Sequence, residues 1–242
     1  MNLREKYHIP SDAVITIAGT VGVGKSTMTK ALADALQFRT SFEKVDTNPY
    51  LDKFYADFKR WSFHLQIYFL AERFKEQKRI FEYGGGFVQD RSIYEDTGIF
   101  AKMHFEKGTM SKVDYETYTS LFEAMVMTPY FPHPDLLIYL EGSFEEIIKR
   151  IRERGRPMEQ QTPIEYWKEM YERYEKWINS FNACPVLRIN INEYDIIGDA
   201  CQGRLFFPQN RRFKIPQKDL IDPSVFLVGA SFPVIDSFPP LG

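Results

Sequence analysis

Cysteine is nearly absent from this chain. Cys184 and Cys201 are the only two, seventeen residues apart, which gives neither a disulfide framework nor a zinc site and points to a reducing compartment. Excess charge of one sign is missing too: 31 Lys and Arg stand against 33 Asp and Glu, a formal net charge of -2. The basic footprint of a general nucleic-acid binder is therefore not there, and a small anionic ligand fits better than DNA. No apolar run approaches the roughly 18 residues a membrane span needs, and Arg4, Glu5, Lys6 and Asp12 precede any apolar stretch. The expectation is a cytoplasmic chain with neither nucleic-acid nor membrane partners. Internal repeats and low-complexity segments are also lacking.

What is present is a core's worth of apolar residues, 44% of the chain, arranged with two periods. Ala13 to Ala18 is a short β-branched run ending at Gly19, and Lys25 to Leu36 then has helical spacing through Met28, Leu32 and Leu36. Further strands are expected at Phe87–Gln89, Leu136–Leu140 and Val186–Ile189, with another ending just before Glu43. Helices are expected over Trp61–Tyr83, Tyr94–Phe105, Lys112–Met127, Phe144–Arg154 and Ile164–Phe181. Strands alternating with crossover-length helices predict an α/β fold, a parallel sheet covered on both faces. After about Gly198 the composition changes: six of the fourteen prolines lie in the last 44 residues and Glu disappears. Residues 1–198 therefore read as one domain and residues 199–242 as an irregular or disordered tail.

Gly19-Thr20-Val21-Gly22-Val23-Gly24-Lys25-Ser26 matches the G-x-x-x-x-G-K-[ST] phosphate-binding loop, and it sits between a strand and a helix as the chemistry requires. Its glycines let backbone N–H groups converge on phosphate oxygens, Lys25 reaches the β- and γ-phosphates, and Ser26 can ligate Mg2+. The loop implies a nucleoside triphosphate but not the acceptor, since GTPases, motor ATPases and several kinases share it. Lys149, Arg150, Arg152, Arg154 and Arg156 crowd a helix end beside Gly155, which suits a lid closing over the triphosphate. Helical spacing puts Arg150 and Arg154 together and turns Arg152 away.

Four segments taken together, Gly19 to Thr27, Trp61-Ser62-Phe63-His64-Leu65-Gln66, Asp90-Arg91-Ser92-Ile93-Tyr94-Glu95-Asp96 and Arg154-Gly155-Arg156, resemble the deoxyribonucleoside kinase family, in particular its bacterial deoxyadenosine/deoxycytidine branch. The resemblance runs from about residue 13 to 195. It implies a P-loop kinase fold: a five-stranded parallel sheet with helices on both faces and an Arg-rich lid. It also implies transfer of phosphate from ATP, with Mg2+, to the 5′-hydroxyl of a deoxyribonucleoside, by a homodimer. By the same resemblance Glu43 is the catalytic base and Arg91 a catalytic cation. Asp90 assists Mg2+ together with Ser26, while Thr27, Arg150, Arg154 and Arg156 join the ATP site. Gln66, Arg73 and Asp96 read the base, and Tyr55 and Glu159 hold the sugar 3′-hydroxyl.

Adenine and cytosine both present a ring-nitrogen acceptor beside an exocyclic amine donor, so one Gln66 amide can serve both. An ionised Asp96, held by Arg73, can accept the amine's other hydrogen and would repel the carbonyl of guanine or thymine. Alternatives are a deoxyguanosine kinase, a nucleoside monophosphate kinase such as thymidylate kinase, and a non-catalytic ATP-binding scaffold. The intact Glu43 and Asp90-Arg91 speak against the last. Phe100, Tyr166 and Leu65 are candidate walls, but aromatic residues at helical spacing are more often plain core.

Overall fold

The computed structural model of the protein describes residues 3–43, 47–128, 131 and 133–193; the boundary expected at residue 198 and the tail beyond it lie outside these. A short helix α1 (Leu3–Tyr7) precedes β1 (Val14–Ala18), five buried residues of which four are β-branched, as a central strand packed on two faces needs. Then come α2 (Lys25–Leu36), β2 (Arg39–Ser41), α3 (Leu51–Ala56), α4 (Phe58–Tyr83) and β3 (Phe87–Asp90). The chain continues through α5 (Ile93–Glu95), a π-helical segment at Asp96–Ala101, α6 (Lys102–Glu106), α7 (Lys112–Val126) and β4 (Leu136–Glu141). It closes with α8 (Phe144–Arg154), α9 (Pro157–Gln160), α10 (Ile164–Ser180) and β5 (Val186–Asn190).

The sheet is parallel throughout, in the order β2-β3-β1-β4-β5. Alternation along each strand sends side chains to two cores. Ile15, Ile17, Val88, Ile138 and Leu140 meet Met28, Leu32 and Leu36 of α2 on one face. Leu137 and Tyr139 meet Ile147 and Ile151 of α8 and Met170, Tyr174 and Ile178 of α10 on the other. Each fully buried aliphatic of this kind contributes about 1.5–3 kcal/mol.

The five-stranded α/β architecture agrees with expectation, but one helix does not: Tyr94–Phe105, expected as a single α-helix, is wound as α, then π, then α. Apolar periodicity cannot register one widened turn, because the residues on its buried face remain apolar on both sides of it. Helix α4 starts three residues earlier than expected, where the Asp57 side chain accepts the Arg60 N–H at 3.0 Å as an N-cap. Its buried stripe mixes Leu65, Leu70 and Ile80 with Ser62, Gln66, Arg73 and Gln77, more polarity than a purely structural face carries. Among the described residues no helix is long and apolar enough to cross a membrane.

Candidate active site

Parallel strands bring their C-terminal ends to one edge of the sheet, and the loop after each strand opens there. Register pairs Ile17 with Asp90, so Gly19, after β1, and Arg91, after β3, stand side by side. Gly19 has φ 139°, and a Cβ on it would lie 2.6 Å from the Leu140 carbonyl oxygen, so only glycine fits this approach. Gly24, at φ 98°, opens α2 with no side-chain cap, leaving the helix's first N–H groups free for an anion. Lys25 folds back, its Nζ donating to the Thr20 carbonyl at 2.9 Å. Burial and the neighbouring Arg91 lower its pKa to about 8. Val23 belongs to the core on the α2 face of the sheet, Val21 packs against the separate core on the α8 and α10 face, and Thr27 is exposed on the first turn of α2.

Ser26 Oγ donates to Asp90 Oδ2 at 2.5 Å, and the other Asp90 oxygen is buried without a partner. A hydroxyl and a half-satisfied carboxylate at the foot of a phosphate loop form a donor set for Mg2+, which takes one or two protein oxygens beside phosphates and waters. Among the described residues no group of three His, Cys, Asp or Glu side chains stands ready as an all-protein metal cage.

Arg73 organises the middle of the site. Its Nη2 donates to Glu43 Oε1 at 2.9 Å, its Nε to Asp96 Oδ2 at 3.0 Å and its Nη1 to the Asp90 carbonyl at 3.0 Å. The same Glu43 oxygen lies 3.5 Å from Arg91 Nε. Burial works against ionisation of Glu43, but Arg91, Arg73, Lys25 and Arg156 outweigh it and hold its carboxyl below the ordinary range. Asp96 goes the other way: burial raises it, Arg73 opposes the rise, and the charge on Glu43 adds to it. Arg73 is thus the main cation acting on Asp96, whereas Glu43 is held low by Arg91 first and Arg73 second.

Gln66 lies two turns before Arg73 on the same face of α4; it is 1% exposed and its amide oxygen has no partner. Tyr55, half-buried on α3, stays a protonated donor because burial and the Glu159 carboxylate push its hydroxyl pKa up. Glu159, on α9, is gripped by Arg154 through Nη2 to Oε1 at 2.7 Å and Nε to Oε2 at 3.1 Å, with Arg156 at 3.6 Å. Two of the three lid arginines thus gather on Glu159. The third, Arg150, pairs instead with Glu146 at 2.8 Å and reaches the Val23 carbonyl at 3.5 Å. Tyr166 stacks on Phe58, with ring centres 5.2 Å apart, in the core. Phe100 carries the Arg91 guanidinium 4.8 Å above its ring.

Two residues that the motifs left without a role belong to this cluster. Glu95, fully buried, accepts from Ser92 N–H at 2.8 Å, from the Tyr174 hydroxyl at 2.9 Å and from Gly19 N–H at 3.4 Å. Tyr174 in turn accepts from Arg91 Nη1 at 3.2 Å. The only sequence signal was Ser92-x-x-Glu95, a capping box, which explains the carboxylate by local structure alone.

The sequence model of the family described as deoxynucleoside kinase matches residues 15–211. A Bacillus subtilis protein named deoxyadenosine/deoxycytidine kinase is 73% identical over 195 residues, covering 81% of this chain and 90% of that one. A Dictyostelium discoideum deoxyadenosine kinase is 41% identical over 181 residues, covering 74% of this chain and 73% of its own. Among solved structures, the deoxyadenosine kinase of M. mycoides with the products dCMP and a flexible dCDP bound superposes with a TM-score of 0.67 at 30% identity, over 78% of this chain and 95% of that one.

Proposed function

The chain belongs to the deoxynucleoside kinase family and is an enzyme that phosphorylates deoxynucleosides; we propose that its acceptors are deoxyadenosine and deoxycytidine, phosphorylated on the 5′-hydroxyl by ATP. The observation that carries this is the Arg73 fork, which grips Glu43 with one nitrogen and Asp96 with another. It sets the group that would receive the 5′-proton at a fixed offset from the group that would meet the base. Gln66, buried on the same helix face with a free amide oxygen, supplies the acceptor for an exocyclic amine and the donor for the adjacent ring nitrogen. The dCMP bound to the M. mycoides enzyme, itself named for deoxyadenosine, supports one site serving both bases.

In this reading Glu43 accepts the proton of the 5′-hydroxyl and aims its oxygen in line with the γ-phosphate. Its lowered pKa makes it a weak base. That suffices, because a loose phosphoryl-transfer transition state needs orientation and charge stabilisation more than base strength. Arg91 meets the charge that develops between nucleophile and phosphate, and Lys25 and the N-terminus of α2 hold the β- and γ-phosphates. Arg150, Arg154 and Arg156 close from the lid, while Tyr55 donates to the sugar 3′-hydroxyl and Glu159 accepts from it. Ser26 and Asp90 would hold Mg2+, which supplies charge neutralisation at the phosphate oxygens. Residues 1–198 form the catalytic unit, in the cytoplasm. A homodimer would cover the exposed Val113, Leu121 and Met127 on and beside α7.

Incubation with Mg-ATP and each of deoxyadenosine, deoxycytidine, deoxyguanosine, thymidine and their monophosphates tests this directly. Monophosphates should form from the first two, and Glu43→Gln should lower kcat by about 10²–10⁴-fold. Turnover confined to guanine or thymine substrates would sink the Gln66 and Asp96 assignment and leave the family untouched.

A further inference from the structure

Arg91 is unusual for a residue that must point a charge accurately. It sits at φ 67°, the left-handed region that side-chain-bearing residues seldom adopt, so its surroundings must hold it there. Its contact to Glu43 is long, at 3.5 Å, and its Nε makes no hydrogen bond. Among the described residues the guanidinium's hydrogen bond is to Tyr174, a fully buried residue on α10 whose hydroxyl accepts from Arg91 Nη1 at 3.2 Å and donates to Glu95 Oε1 at 2.9 Å. Glu95 is fixed in turn by N–H groups at both ends: Ser92 on one oxygen, and Gly19, the first residue of the phosphate loop, on the other. The groups around this carboxylate are placed to donate to it, which favours its ionised form against the burial that pushes its pKa up.

We propose that Tyr174 and Glu95 are positioning residues: the Tyr174 hydroxyl, locked by the Glu95 carboxylate, sets the Arg91 guanidinium and ties its placement to the phosphate loop through Gly19. Neither residue needs to touch substrate. The proposal rests on the assignment of Arg91 to the transferring phosphoryl group, because a misplaced guanidinium loses a contact made mainly in the transition state.

Tyr174→Phe removes one oxygen and keeps the ring, so the core around Phe100 and Trp177 is preserved. We expect kcat to fall about tenfold or more while KM for nucleoside and for ATP changes less than about twofold, the split of an interaction made only in the transition state. The melting temperature should stay within a few degrees, and in an Arg91→Lys background the same change should alter kcat less than about twofold, since residues acting through one group are not additive. Glu95→Gln, whose amide cannot accept from N–H groups on both sides, should lower kcat in the same non-additive way. Full kcat in Tyr174→Phe, or an equal fall in the Arg91→Lys background, overturns the relay while leaving Arg91's role standing. Full kcat in Arg91→Lys alone removes that role and the relay with it.

Discussion

Lys25 shows how one buried charge ties the loop to pH. Burial first, and the Arg91 cation second, lower its pKa from 10.5 to about 8. In the nucleotide-free protein it therefore loses its proton as pH rises through about 8, and a neutral amine no longer attracts the β- and γ-phosphates. Bound triphosphate opposes that loss, so the complex stays protonated to higher pH. ATP affinity should thus weaken by up to about tenfold per pH unit above 8, while kcat at saturating ATP holds further into the alkaline range. Titration calorimetry from pH 7 to 9.5 checks this, and flat affinity across the range would contradict it. The linked stability has the opposite sense: the penalty for burying a charged amine is present below about 8 and fades as pH rises toward 10.5. Much of the candidate site was legible residue by residue: Gly19 and Lys25 sit in a loop pattern whose spacing carries phosphate binding, and Asp90 and Arg91 were marked by the family resemblance. Tyr174 was not, since its partners lie 79 and 83 positions away and nothing local separates it from a core aromatic on an amphipathic helix.

At the scale of elements, strands and long helices followed from periodicity, while the short ones escaped it. Helix α3 has six residues and α9 four, fewer than two turns, so neither shows an apolar repeat; yet they carry Tyr55 and Glu159. The π-helical segment Asp96–Ala101 escaped for a different reason, being a change of winding rather than of pattern. Its role is to place Asp96 toward Arg73 while Gly98 meets Trp177 of α10. A Cβ on Gly98 would lie 2.8 Å from that ring, and Trp177 is itself packed on Phe181 and Tyr174. Gly98→Ala therefore sets two effects against each other. Helix propensity favours alanine over glycine by about 1 kcal/mol, whereas overpacking costs about 1–3 kcal/mol. The net should be destabilising, read as a lower urea midpoint with unchanged slope. A raised midpoint would mean that Trp177 turns aside freely and that propensity prevails.

For the whole molecule, sheet order does what no single element can. Order β2-β3-β1-β4-β5 sets the ends of β2, β3 and β1 next to one another, so Glu43, Asp90-Arg91 and Gly19 converge although up to 72 positions separate them in the chain. That a parallel sheet would form was readable from the alternation of strands and helices; which strand neighbours which was not, because crossover length does not reveal the side to which a chain returns. The same topology bears on where the proposed catalytic unit ends. Among the described residues β5 is an edge strand paired with β4 alone, and Ile191 just beyond it is 4% exposed and fills the space above Gly142, where a Cβ would come within 2.6 Å of it. A chain cut before Ile191 should lose that packing. Every proposed site residue, the positioning Tyr174 included, lies at or before position 174, so a chain ending at Gly198 should keep kcat within about twofold of the full chain. Two cuts decide where the unit ends, because composition turns at about Gly198 while the family match continues to residue 211. Activity kept by both shortened chains places the boundary at the change of composition. Activity lost at 198 and kept at 211 places it where the family match ends, and makes the intervening residues part of the folded enzyme.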